Sequence, residues 1–478
     1  MFIRPFPACF ARQFTSPRCE RLISALLLAP IFGLACASPN RQTLTAEETE
    51  QTLAHRTQGP EAALSPGHLA GLDALALPRP SPEELANPGS AGYWRACALA
   101  WNPAVRAARR QLQRAVAAED GAGLPESIGL GAETMSAEDL DRESRLSATF
   151  DLLGILGVGP ASVAREAARI DALHEHSRLE RAVWRATFEV ERARVRLGAA
   201  RERISRMEAL LRQVEAQSPR FEVLERRGRL SAAESGLAAT AVHIVEHEIS
   251  SERGREAELR AALAESSGLA FDHDAYAHVD GSALVQTRAV PESLGARQLL
   301  EQDPALRDLV LEFAQAEVRV RRVARDGWPT VRAGPRLTVM PSDILLGGML
   351  DLSLPWPWRI EAELRVAETE REAAREQVED ALHGAVARVA SLRAIEAQAR
   401  TRAEEHAEKL NDAAEDAWVA MNARLRLGFA SATEWTTMAH DRLAPLVGRV
   451  DAREAAVLAA LDLAEACGVV LETAEVTP

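Results

Sequence analysis

Residues 200 positions apart repeat one another in this chain. Asp151 has its counterpart in Asp351, Arg165 in Arg365, Gly228 in Gly428 and Gly268 in Gly468. Upstream the offset drifts to 201 for Asn102-Pro103-Ala104 against Asp303-Pro304-Ala305, and to 204 for Gly123-Leu124-Pro125 against Gly327-Trp328-Pro329. Matches kept in one order over such a length mark a tandem duplication, so whatever one half folds into, the other half repeats. Length alone, 478 residues, would suggest about three domains; the repeat overrides that division.

Each half holds a short stretch of period two. Leu350, Leu352 and Leu354 alternate with Asp351 and Ser353, and Leu146, Ala148, Phe150 and Leu152 alternate with Ser147, Thr149 and Asp151. Period two is the signature of a strand. The expected strand pairs are Ile128–Met135 with Leu146–Leu156, joined by an acidic loop at Ser136–Ser144, and Val331–Met340 with Met349–Leu354, joined by Pro341–Gly348. An isolated hairpin is marginal in water, so these strands need completion by other copies.

Long helices follow each strand pair. Val183, Val190, Leu197, Ile204 and Leu211 lie seven apart, with Ala186, Ala193, Ala200, Met207 and Val214 as the companion line. The second half repeats this with Val378, Ala385, Leu392, Ala399, Ala413 and Ala420, and with Leu382, Val389, Ala403, Leu410 and Ala417. His406 breaks the first of these lines and Glu396 the second, each read as a polar interruption that fixes register; the pattern is a coiled-coil seam. Ala161–Gln217 and Trp358–Leu427 would be about 85 and 105 Å long. They stop at Arg227-Gly228-Arg229-Leu230-Ser231 and Leu427-Gly428-Phe429-Ala430-Ser431, where Gly supplies a left-handed residue and Ser caps a returning helix. Those helices run over Leu237–Leu263 and Trp435–Leu463, with kinks expected at Pro219 and Pro445. Trp94–Ala118 reads as one helix opening the first half.

The aromatic content is 4% and the net charge −14, and the basic first 35 residues make the remainder more acidic still. Nothing favours nucleic acid, which needs a basic face. Four arginines precede a thirteen-residue largely apolar run, Leu22–Leu34, too short to span a membrane and typical of an export signal. Ala35-Cys36 follows at once and resembles the lipobox of bacterial lipoproteins, which makes Cys36 a lipidation candidate. Cys97 and Cys467 read as small buried thiols, with a disulfide between them the alternative. The expected parts are a signal peptide over 1–35, an extended leader over 36–90, a first repeat over 91–269, a linker over 270–295, a second repeat over 296–470 and a tail over 471–478.

The order of signal, Asn102-Pro-Ala-Val-Arg-Ala-Ala-Arg109 opener, strand pair, long helix, glycine turn and return helix, all given twice, resembles the TolC-like outer-membrane efflux proteins, possibly their heavy-metal branch. The tip sequences Gly228-Arg-Leu-Ser-Ala-Ala-Glu234 and Gly428-Phe-Ala-Ser-Ala-Thr-Glu434 carry the resemblance most specifically. It implies a mainly α fold with a small β part: duplicated coiled-coil hairpins forming a periplasmic tunnel, and four strands per chain contributing to a trimeric transmembrane β-barrel. It further implies an outer-membrane homotrimer, lipid-embedded, passively conducting cargo from an inner-membrane pump and a periplasmic adaptor. Heavy-metal cations or drugs are the cargo considered, with type I secretion also open. The tips Gly228, Arg229 and Leu230, and Gly428, Phe429 and Ala430, become candidate adaptor contacts. Glu234 and Glu434 become a candidate tunnel gate, where three chains' carboxylates would converge and raise one another's pKa; their bland reading is helix-dipole stabilisation.

No phosphate loop, catalytic Ser or Cys motif or carboxylate pair in a plausible pocket emerges, so no enzyme and no cofactor is expected. His243 with His247, and His174 with His176, lack a third ligand in the sequence and read as solvated or packed. The rival readings are a periplasmic adaptor, which would carry one hairpin and abundant strand, and a purely structural coiled-coil envelope protein, which would lack the strands.

Overall fold

A computed structural model describes residues 51, 56, 60, 81–122, 129–137, 140–151, 160–284, 295–327, 330–340, 343–354, 356–427 and 429–469. The signal segment, Cys36, Leu152–Leu156, Trp328, Gly428 and the 471–478 tail lie outside them. The chain divides into two compact units, one carrying the strands and one the helices.

The strand unit is a four-stranded antiparallel sheet in the order β1 (Gly129–Ala137), β2 (Leu140–Asp151), β3 (Thr330–Val339) and β4 (Ile344–Ser353). β2 belongs to the first repeat and β3 to the second, so their pairing joins the two halves. Asp151 and Asp351, the repeat-related pair, both stand opposite Arg332 in register. Gly334 is where the backbones approach closely: a Cβ there would fall 1.7 Å from the Ala148 carbonyl oxygen. Both hairpins are tighter than the sequence predicts. Most of the Ser136–Ser144 segment is strand, with Ala137 opposite Leu140, and Ile344–Gly348 pairs with β3 up to the Met340–Asp343 turn. The turn-forming Gly347 and Gly348 mislead because ladder pairing outweighs the weak strand propensity of single residues.

The helical unit runs α1 (Pro82–Ala86), α2 (Ala91–Trp101), α3 (Pro103–Gly121), α4 (Pro160–Glu215), α5 (Ser218–Arg226), α6 (Ala232–Ser267), α7 (Ala296–Gln302), α8 (Pro304–Asp326), α9 (Pro357–Thr401), α10 (Ala407–Leu427), α11 (Ala432–Asp441) and α12 (Leu443–Cys467). The expected single helix Trp94–Ala118 is split at Asn102. Its side-chain oxygen accepts from the Ala104 and Val105 N–H groups, capping α3, while its amide nitrogen donates to the Ser266 carbonyl at 2.8 Å. Asp303 caps α8 through Ala305 in the same way. Each elbow rests on the left-handed glycine that ends a return helix. A Cβ on Gly268 would meet the Trp101 carbonyl oxygen at 2.5 Å, and one on Gly468 would meet that of Gln302 at 2.6 Å. This duplicated joint is why those two glycines recur 200 residues apart.

The α4 seam is buried as its heptads require, with Val190, Leu197, Ala200 and Val214 fully covered. Trp94, Cys97 and Tyr276 pack against its first half. Tyr276 comes from the 270–295 segment, whose described part forms two short 3-10 turns, Asp274–His278 and Gly281–Leu284, and so contributes to the core beyond linking repeats. Burial pushes the Tyr276 hydroxyl pKa up to about 12. Cys97 and Cys467 are both free and sit in different apolar clusters, so the disulfide alternative does not hold.

The second seam differs from its prediction. A π turn, Arg402–His406, separates α9 from α10. Before it the half-buried or buried stripe follows the expected positions, Leu382, Ala385, Val389, Leu392, Glu396, Ala399 and Ala403. After it the stripe moves one residue on, to Asn411, Ala414, Trp418, Met421 and Leu425, while the predicted Leu410, Ala413, Ala417 and Ala420 are exposed. A π turn takes in one extra residue, which rotates everything beyond it by about 100°. The broken line at His406 marks that shift of register. Glu396 lies on the stripe and pairs with Arg400 at 3.6 Å.

Candidate functional site

The two hairpin tips lie side by side. Phe221, Trp418 and Trp435 are buried in one cluster onto which Leu230 of the first tip and Ala430 of the second also pack. Phe221 and Trp418 flank Trp435 at ring-centroid distances of 5.0 and 5.7 Å. Pro219 falls in the first turn of α5 and Pro445 in that of α12, where a proline N–H is not missed.

α5 ends in a Schellman turn. The Gly228 N–H donates to the Glu225 carbonyl and the Arg229 N–H to that of Leu224, with Gly228 at φ +68°. The Phe429 N–H makes the equivalent bond to the Arg424 carbonyl at 2.9 Å. The outer surfaces differ in chemistry. Both tips expose arginines, Arg226, Arg227 and Arg229 on the first and Arg424 and Arg426 on the second, but the second adds Leu427 and Phe429, each about seven-tenths accessible.

Glu234 and Glu434 close capping boxes. The Ser231 N–H donates to the Glu234 carboxylate at 2.9 Å, and the Glu234 N–H returns to the Ser231 hydroxyl at 3.3 Å; the Ser431 and Glu434 distances are 3.0 and 3.1 Å. These backbone hydrogen bonds hold both carboxyls below the usual glutamate pKa, with Arg424 assisting at Glu434. Within one chain the direction is therefore opposite to the rise expected of a carboxylate ring. The Ser-x-x-Glu spacing is the sequence signal for the box.

His243 is exposed beside Glu246, and His176 lies 3.4 Å from Glu180. His174, on α4, does have carboxylates near it: Asp308 and Glu312, one turn apart on α8, face it. No local pattern could reveal them, because they come from the other repeat.

In the sheet, alternation places Leu146, Ala148, Val331, Ala333, Leu337, Leu346, Leu350 and Leu352 on one face, with Ser147, Thr149, Arg332, Arg336, Asp351 and Ser353 on the other. Leu346, Leu350 and Leu352 on the apolar face are 79, 71 and 56% exposed. Among the described residues β1 and β4 each keep one unpaired edge. Among the described residues no helix is long and apolar enough to cross a membrane.

No family model matches the chain, and no curated protein matches it. Solved structures do. CusC, described in terms of folding and transmembrane channel formation, aligns over 80% of this chain and 92% of its own at 17% identity, with a TM-score of 0.69. VceC, an outer membrane protein of Vibrio cholerae, covers 79% and 96% at 17% identity and a TM-score of 0.64. The open-state MtrE channel of Neisseria gonorrhoeae covers 79% and 88% at 17% identity and a TM-score of 0.65. The chain has the outer-membrane channel fold. The two long hairpins and the four-stranded sheet of the described residues set aside the single-hairpin adaptor and the strandless coiled coil.

Proposed function

We propose that the chain is one subunit of a homotrimeric outer-membrane channel that conducts cargo passively in a tripartite efflux or type I secretion system. The observation that carries this is the amphipathic sheet with an exposed apolar face and two open edges. Such edges cannot be left in lipid, where every backbone N–H and C=O needs a partner. About eight strands are needed to close the smallest barrels, twice the four among the described residues of one chain. Closure by copies, apolar face outward and polar face inward, resolves both demands. Trp356 and Trp358, each 67% exposed, suit the membrane–water boundary. On gels the purified protein should run as a trimer that heating converts to monomer; a protein that is monomeric in detergent before heating contradicts the proposal.

The tips are the contact for the adaptor, with Gly228–Leu230 basic and Phe429–Ala430 apolar, which suits a partner hairpin carrying acidic and apolar residues side by side. Gly228→Trp and Gly428→Trp should leave the trimer assembled but uncouple export, and normal export by both would remove the tips from that role. Cys36 is the lipid anchor: labelled palmitate should enter the wild type and not Cys36→Ser, and equal labelling would refute it. Selection among metal cations, drugs or other cargo falls to the inner-membrane pump, since a generic tunnel offers no pocket for one substrate.

A further inference from the structure

His174 on α4 is 6% exposed and Asp308 on α8 is 2% exposed. His174 Nε2 and Asp308 Oδ1 lie 2.9 Å apart, yet neither atom has a hydrogen-bond partner. Buried polar atoms are seldom left so, because each orphan costs about 1–3 kcal/mol. Glu312 Oε1, one helical turn from Asp308 on the same face, lies 3.8 Å from His174 Nε2, and the three ligand atoms all fall within 4.8 Å of one another.

We propose that His174, Asp308 and Glu312 form a zinc-binding site that staples the long helix of the first repeat to the opening helix of the second. Ligand atoms about 2.1 Å from a tetrahedral zinc sit roughly 3.4 Å apart. The observed 2.9 and 3.8 Å separations bracket that value, so small rotations seat the ion. One imidazole nitrogen and two carboxylate oxygens are donors zinc accepts, and the solvent-facing side of Glu312 leaves the fourth position to water. Arg181 holds the other oxygen, Asp308 Oδ2, leaving Oδ1 for the metal. Gln315 Nε2, which donates to Asp171 Oδ1 at 2.8 Å, lies 3.3 Å from His174 Nδ1; zinc on Nε2 moves the ring proton to Nδ1, and the Gln315 amide meets it by turning its oxygen to the ring. The proposal is independent of what the channel carries.

The test is calorimetric titration of zinc chloride into chelator-treated full-length protein, paired with thermal unfolding. Wild type should bind about one zinc per chain and unfold at higher temperature when loaded. His174→Ala should weaken that binding roughly 100-fold, and Glu312→Gln, at the accessible edge where folding is safe, about tenfold. His243→Ala should change nothing. Arg181→Met gives the sharpest reading: it weakens a plain ion pair, but it frees Asp308 Oδ2 and removes a repelling charge, so zinc should bind more tightly. Wild type that binds no zinc, or zinc binding unchanged in both His174→Ala and Glu312→Gln, overturns the site.

Discussion

Glu234 and Glu434 illustrate how a single side chain can be tied to local structure while remaining available to a larger assembly. Each carboxylate is held by the N–H of its own capping serine. Because the folded pKa is depressed, the stabilisation is present above the ordinary glutamate pKa of about 4.3 and is lost as pH falls through the lower folded value. The protection factors of the Ser231 and Ser431 amides, taken against the intrinsic exchange rate at each pH, should therefore hold at neutral pH and fall only on strong acidification; protection factors indifferent to acid would contradict the box. Capping and gating separate by substitution, since Gln still accepts the serine N–H but carries no charge. If the gate exists in the trimer, Glu434→Gln should reduce cation preference and divalent block in planar bilayers with the tip intact. Unchanged selectivity leaves only the cap. Residue-scale features of this kind are legible in sequence when their partners are three positions away, as with Gly228 and Ser231, although the helix expected over Trp94–Ala118 passes over the Asn102 cap. The partners of His174 lie 134 and 138 positions on, and nothing in the spacing of His174 and His176 points to them.

Among the elements, the hairpins owe their order to two stripes and one displaced register. The α4 seam is readable because one heptad runs unbroken from Val183 to Val214. The second is readable only as far as Ala403, because the π turn inserts a residue whose sole trace is the polar break at His406. Deleting one residue within 402–406 should remove the π turn yet leave Trp418 and Met421 in the tip cluster, because it takes out the residue that the turn absorbs. Tryptophan fluorescence should stay unshifted; a red shift with a fall in Tm would contradict the turn as one absorbed insertion. Trp435→Ala should cost about 3–5 kcal/mol, since the ring is fully buried between Phe221 and Trp418. Arg203 couples the hairpins differently. Its guanidinium, 3% exposed, bonds Glu252 of α6 and both Asp451 and Glu454 of α12. Arg203→Leu leaves Glu454, whose pKa burial already raises, beside two further carboxylates without their cation. A loss of about 3–5 kcal/mol by denaturant titration is expected, and a neutral result would mark the network as dispensable.

At the scale of the whole molecule, the duplication makes the fold legible: a strand pair and a hairpin, given twice, admit few architectures. The strand limits are less legible than the strands themselves. Alternation survives at Leu350–Leu354, whereas the hairpin ends at 140–145 and 344–348 are charged or glycine-rich and take their structure from ladder partners. The sheet's two faces carry the central claim, so a charge placed on one should act unlike a charge placed on the other. Leu350→Arg, on the apolar face, should destabilise by about 2–4 kcal/mol near the bilayer midplane, while Ser353→Arg on the polar face should fold and alter conductance instead. The most direct test is to add the purified full-length protein to a planar bilayer and record single-channel current. A chain that closes its sheet with two further copies predicts discrete, stable conductance steps from the trimeric fraction and none from heat-dissociated monomer; a folded trimer that enters the bilayer and passes no current would contradict the channel.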